Sequence, residues 1–269
     1  MKSKSIAAPY LLWMLVFILV PLLLVAYYAI TTPDGNLTIE YISRVGEYTP
    51  VLTRSVWLAF ISTVICFIIA YPLAFIISRK SGAGQRSMIM LIMLPMWMNF
   101  LLRTYAWMTI LEKNGLINRF LAHFGIGPLN MINTSGAVVL GMVYNYLPFM
   151  ILPLYSIMVK IPNSLIEAAQ DLGCNTFQVV TKVLFPLTVP GISSGVIMVF
   201  VPSVSTFIIS RMLGGGGNLL IGDLIDLQFL GNAYNPHLGS AIALVLMVLI
   251  LLCMSITNQF DDEVKGGVI

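Results

Sequence analysis

"EAAQDLGCNTFQVVTKVLFP", residues 167–186, places two carboxylates, a lysine, a glycine and a closing proline between two of the most apolar stretches of a 269-residue chain. Only 9% of the chain is charged and 58% is hydrophobic, with a mean hydropathy of +0.93. Those values exceed what an ordinary globular domain carries and define an all-α protein threaded repeatedly through a membrane. The quoted segment then reads as a polar elbow of two short helices joined at Gly173. Ser164 and Glu167 have capping-box spacing for the first helix, and Asn175 and Gln178 repeat that spacing for the second. Gly173 supplies the left-handed turn that closes the first helix, and Pro186 opposes simple continuation of the second. Phe177, Val180 and Leu184 share one face of the second helix.

Outward from the elbow, apolar runs recur at the length of about 20 residues that crosses roughly 30 Å of hydrocarbon. Six lie near 9–30, 55–78, 87–110, 136–159, 187–209 and 237–257, within one transmembrane domain spanning 1–269, and the polar loop occupies about 160–186. The first run follows Lys2 and Lys4, but it is longer than a signal core and lacks a convincing cleavage site, so it is read as a retained span. With the N-terminus inside, eight basic residues face the cytoplasm: Lys2, Lys4, Arg79, Lys80, Arg86, Lys160, Lys182 and Lys265. The longer outer loops hold five: Arg44, Arg54, Lys113, Arg119 and Arg211. This bias predicts that both termini and the elbow are cytoplasmic. The net charge of +3 is dispersed and gives no reason to expect nucleic acid as a partner. Cys66, Cys174 and Cys253 have neither CxxC nor metal-ligand spacing, so no disulfide and no metal site is expected. His123 and His237 stand without a nucleophile or metal-ligand constellation, and no enzyme chemistry is expected of the chain.

The elbow also resembles the cytoplasmic EAA loop of permease subunits of ATP-binding-cassette importers, whose pattern is E-A-A, three residues, G, nine residues, I-x-L-P. Here Glu167, Ala168 and Ala169 are followed by Gly173 and then, nine residues on, by Val183, Leu184, Phe185 and Pro186. Val183 and Phe185 depart from isoleucine and leucine but keep the apolar character. "LPMWMNFLLRTYAWMTIL", "NGLINRFL", "GMVYNYLPFMILPLY" and "FPLTVPGISSGVIMVFVPSVSTFIISRMLGG" are similar to the spermidine/putrescine branch of that family, near its first permease subunit. The resemblance implies a type I importer permease fold and one half of a permease heterodimer. Two cytoplasmic ATPase subunits would carry ATP and Mg²⁺, and an external substrate-binding protein would deliver the solute. It further implies that Glu167, Ala168, Ala169, Gly173 and Pro186 form the coupling surface for the ATPase. The chain itself has no G-x-x-x-x-G-K-[ST], and the glycine run 214–217 lacks the lysine and strand–helix setting of a phosphate cradle.

Within the apolar runs Arg103 stands out, because an arginine near a helix centre costs a few kcal/mol on insertion scales unless it finds a cavity, a partner or the interface. It is read as an organiser of nearby carbonyls or acids, in the pathway or at a subunit interface. Aromatic faces can hold the ammonium groups and methylenes of a polyamine, which makes Tyr105, Trp107, Tyr144 and Tyr146 candidates for the pathway. Asp223 and Asp226 are the candidate carboxylates, three apart on one helix face. Gly191 and Gly195 form a GxxxG spacing that predicts a close helix contact. Pro95, Pro148, Pro153, Pro190 and Pro202 are expected to interrupt the apolar helices. A secondary transporter would need titratable groups near the midplane, and the six runs contain no Asp or Glu. A membrane scaffold would not explain the glycine-set elbow. Cysteines introduced at Gly35 and Gly216 are expected to react with an impermeant maleimide from outside, and those at Gly82 and Gln170 only after permeabilisation. External labelling at Gln170 would overturn the topology.

Overall fold

Apolar runs of this length satisfy their backbone in hydrocarbon by helical hydrogen bonding. The structure, a computed structural model, describes residues 3–231 and 233–266. Lys2 lies outside the described residues, as do the side chains of Lys4 and Lys265. Among the described residues no strand forms, and a lone bridge between Thr31 and Leu37 closes the turn after the first span.

Five continuous helices have the length and apolar character of spans: Pro9–Ala29, Glu40–Ser78, Ser135–Met158, Thr176–Val204 and Pro236–Thr257. The run near 87–110 departs from the single helix expected there. It consists of two limbs, Gly82–Trp97 and Phe100–Ala122, bent by 88°. The reason is local. Pro95 lies in a tight 3-10 turn, Met98 is extended, and the Asn99 side chain accepts from the backbone N–H groups of Leu101 (2.8 Å) and Leu102 (3.4 Å). An asparagine cap starts a new helix and frees its direction from the old one.

The fourth span, Ser135–Met158, is the centre of the bundle and packs on both the second and the fifth. Its buried Met142, Met150, Leu154 and Met158 meet Leu58, Cys66, Ala70, Ala74 and Ile77 of the second span. Lipid is as apolar as these side chains, so contact depends on close fit, which small residues permit. The GxxxG pair of the fifth span supplies that fit, and its partner is the fourth span. A β-carbon at Gly191 would stand 3.1 Å from the Pro153 carbonyl oxygen, and one at Gly195 would stand 2.6 Å from Met150 Sδ. A second cluster joins Ala29 and Val45 to Val204, Ile221, Leu238, Ala241 and Ile242, which fixes the first and sixth spans to the rest.

The prolines act less disruptively than expected. Pro148 and Pro153 lie inside the fourth span and Pro190 and Pro202 inside the fifth, with neither helix broken. Each still removes one helical N–H, leaving the carbonyl four residues earlier without its usual donor. Pro186 likewise fails to separate the elbow from the fifth span. A wide π turn over Val179–Leu184 precedes it, and Thr176–Val204 runs on as one helix. A similar π turn, Leu15–Leu19, precedes Pro21 in the first span. Loosening of the turn ahead of the pyrrolidine ring accommodates it without a sharp stop.

Gly191→Leu would force the fourth and fifth spans apart against a backbone oxygen. Overpacking of this kind is expected to lower stability by about 1–3 kcal/mol, read as a lower thermal midpoint of the detergent-solubilised protein.

Candidate functional site

The first elbow helix is Asn163–Asp171. Pro162 occupies the N-cap position, and no side chain caps the helix. The Ser164–Glu167 capping box therefore does not form: Ser164 is already inside a helix that begins two residues earlier than the box requires. The other end is as expected. Gly173 has φ +85°, its N–H donates to Gln170 O (2.8 Å), and the Cys174 N–H donates to Ala169 O (3.1 Å). This double reverse bond is a Schellman turn, which ties off the terminal carbonyls and turns the chain sharply. The next cap follows at once. Asn175 Oδ1 accepts from the Gln178 N–H (2.8 Å), and Gln178 Oε1 accepts from the Asn175 N–H (2.9 Å).

These caps decide which side chains the elbow shows. Ala169 turns inward, with Ile166, Cys174 and Val180, against buried Ile161, Val179 and Leu184. Glu167 and Ala168 face outward. Leu172 is 86% exposed and Phe177 75%, so two apolar knobs flank Gly173. Phe177 thus departs from the expected shared face: Leu184 is fully buried and Phe177 points away.

Arg79, which the sequence marked only for its charge, bolts this elbow to the bundle. Its Nη1 donates to Ile161 O (2.9 Å) and Asn163 Oδ1 (2.6 Å), and its Nη2 to Met158 O (3.2 Å). The guanidinium also lies 5.5 Å from the centre of the Phe75 ring. It therefore neutralises the carbonyl end of the fourth span while holding the first residue of the elbow helix. Gln85 extends the connection: its amide donates to Ser78 O and Lys80 O (both 3.0 Å), and its Oε1 accepts from Tyr155 (3.2 Å).

A second feature lies within the bundle. A cavity of roughly 530 Å³ is lined by Met96, Phe100, Arg103, Asn145, Tyr146, Phe149, Met198 and Pro202. The broken third span puts Arg103 there, at the end of the first turn of its second limb rather than near a helix centre. Arg103 is 9% exposed and lies 5.8 Å from the centre of the Phe100 ring. Its Nε is buried without a partner, as is Asn145 Oδ1 across the cavity, while Asn145 Nδ2 donates to Gly141 O (2.9 Å). Tyr146 reaches Pro202 O at 3.4 Å. Phe149 and Met198, the residues four before Pro153 and Pro202, both line the cavity, so two residues whose carbonyls lose a helical donor belong to its wall. The acids that Arg103 was expected to organise are absent from this lining.

The remaining candidates fall elsewhere. Trp107 and Tyr144 meet edge to face at 5.4 Å outside the cavity lining, and Tyr105 is exposed. Asp223 and Asp226, on the helix Ile221–Leu230, are held by Arg211, whose Nη2 is 2.5 Å from Asp226 and whose Nε is 3.9 Å from Asp223. Asp223 is fully buried and also accepts from the Leu220 N–H (2.9 Å). Burial raises its carboxyl above the usual carboxylate range, against the opposing pull of Ser210, the Leu220 N–H and Arg211. Arg211 had been counted among loop charges, and its spacing from the aspartates gave no signal of pairing. Asn145 and Phe149 were likewise passed over, although an asparagine in so apolar a run is itself a signal.

A helical membrane bundle with an open, polar-edged cavity in its side and a rigid elbow projecting from one end is the build of a solute permease. The chain matches the family described as "Binding-protein-dependent transport system inner membrane component" over residues 5–265, and it belongs to that family. A Haemophilus influenzae protein described as "Spermidine/putrescine transport system permease protein PotB" is 39% identical over 250 residues, covering 89% of this chain and 87% of that protein. The Escherichia coli protein of the same description is 33% identical, covering 88% and 89%. Among solved structures, a chain of a bacterial importer of the acidic polysaccharide alginate superposes with a TM-score of 0.82 at 16% identity, covering 97% of this chain and 94% of that one. The same TM-score is found for an alginate transporter in complex with its pentasaccharide-bound periplasmic protein. The protein is thus a multi-pass membrane permease with the fold of ATP-binding-cassette importer permeases.

Arg79→Ala should leave membrane insertion intact but release the elbow, since charge-assisted hydrogen bonds of this kind are worth about 2 kcal/mol each. Faster amide exchange across residues 161–172 is the expected reading. Arg79→Lys should fall between, because an ammonium cannot bridge the same acceptors in a fixed fork.

Proposed function

We propose that the chain is one permease subunit of an ATP-driven importer of polyamines, spermidine or putrescine. It pairs with a second permease subunit, stands on two cytoplasmic ATPase subunits and receives solute from an external binding protein. ATP and Mg²⁺ belong to the ATPase subunits, and this chain binds no cofactor and performs no bond chemistry. Both termini and the elbow are cytoplasmic.

The observation that carries this reading is the elbow. Its Schellman turn and capping box hold Glu167, Ala168, Leu172 and Phe177 outward on a rigid frame, as docking against a second rigid body requires. The similarity to the two permeases described as spermidine/putrescine proteins supports the substrate class. The cavity supports it too: Asn145 Oδ1, proline-relieved carbonyls and the faces of Phe100, Tyr146 and Phe149 suit an ammonium group on an apolar chain. Asp223 and Asp226 serve admission only once Arg211 releases them. The positive charge of Arg103 favours a second reading, an importer of another small solute, which an uptake panel of polyamines and anionic solutes separates from the first.

Glu167 and Gly173 have separable roles. A β-carbon at position 173 would meet nothing within 4 Å, so Gly173→Val tests backbone conformation alone, at about 1–2 kcal/mol for a left-handed residue. Reconstituted with the ATPase subunits and loaded binding protein, it should insert normally yet lose solute-stimulated hydrolysis and uptake. Glu167→Ala should give a milder loss of subunit association. Full stimulated hydrolysis and uptake by Gly173→Val would remove the coupling role.

A further inference from the structure

Arg103 is placed against three physical preferences at once. It is buried, with its Nε unpartnered. It stands in the first turn of a helix, where the macrodipole is positive and a cation is disfavoured. None of the residues lining its cavity is acidic, and Arg103 makes no ion pair among the described residues. Its one ring contact among the described residues is Phe100, and at 5.8 Å that contact is weak. Lipid cannot cover this place, because the exposed lining residue Met198 would then bring acyl chains against an uncompensated guanidinium. A dication entering the cavity would add repulsion.

We propose that the cavity is half of a site, and that a carboxylate on a membrane helix of the second permease subunit completes it by pairing with Arg103. The inference rests on the heterodimer reading above and adds the chemistry of the contact. A carboxylate matches the guanidinium fork and satisfies donors that nothing in this chain satisfies. It also removes the electrostatic obstacle to a cationic solute, so that Asn145 Oδ1 and the relieved carbonyls of Phe149 and Met198 face the substrate beside a neutral pair. Arg103 is then a positioning residue: it holds the partner's acid, and the solute meets the acceptors around it.

The test uses the whole transporter, with this chain, its cognate second permease subunit, the ATPase subunits and the binding protein in proteoliposomes. Arg103→Met is combined in turn with neutralisation of each Asp and Glu in the partner's apolar spans. Singly, Arg103→Met should reduce putrescine uptake tenfold or more, because it leaves the partner's carboxylate buried and unpaired. One partner substitution to Asn or Gln should restore at least a third of the lost uptake, and Arg103→Lys should retain part of it. Uptake restored by no acidic position, from complexes that copurify normally, overturns the inference while leaving the heterodimer standing. Failure of any second permease to copurify overturns both. A further arm compares putrescine with 4-aminobutyrate, which carries its own carboxylate. If Arg103→Met abolishes aminobutyrate uptake and spares putrescine, the cavity binds a substrate carboxylate and the inference falls.

Discussion

Close approach of the fifth span to the fourth is the constraint on which the remaining architecture depends. Two helices in hydrocarbon gain nothing from excluding water, and Gly191 and Gly195 let the backbone of one reach the Pro153 carbonyl and the Met150 side chain of the other. That contact sets the spacing at which Phe149 and Tyr146 face Met198 and Pro202, and so leaves room for the cavity. It also brings the end of the fourth span beside the start of the fifth, where Arg79 can bind the terminal carbonyls of one and the elbow that leads into the other.

The helices combine rigidity with locally incomplete hydrogen bonding. Four internal prolines leave the fourth and fifth spans unbroken, and two of them, Pro153 and Pro202, relieve the carbonyls of Phe149 and Met198, residues that line the cavity. Such groups are tolerated at membrane depth only where protein or water meets them. The same logic governs Arg103 and Asn145. Both are polar atoms left incomplete by their own chain, and both lie in that one space.

Much of this was legible in the sequence because it depends on short-range chemistry. Gly173 at the left-handed turn, the Asn175–Gln178 box, the apolar run lengths and the Gly191–Gly195 spacing are each set within a few residues. The failures arise where neighbours compete. Pro162 displaced the helix start and left the Ser164 box unused. Asn99 outcompeted the apolar pattern around it and broke the third span, which hydropathy alone reads as continuous. Pro186 was accommodated by a π turn that composition does not announce. The Arg211 pairing with Asp223 and Asp226, and the hold of Arg79 on Ile161 and Met158, join residues brought together only by folding.

Continuity of Thr176–Val204 through its π turn makes the elbow and the cavity wall parts of one lever. At 1.5 Å per residue, about 30 Å separates Phe177, exposed at one end, from Met198 at the cavity. A tilt of about 5° over that arm displaces its far end by roughly 2.5 Å. The π turn, which carries the buried Leu184, sits near the elbow end, where Arg79 holds the adjoining chain. A rotation of the elbow is thereby carried to the cavity wall along one helix, with no intervening loop to absorb it.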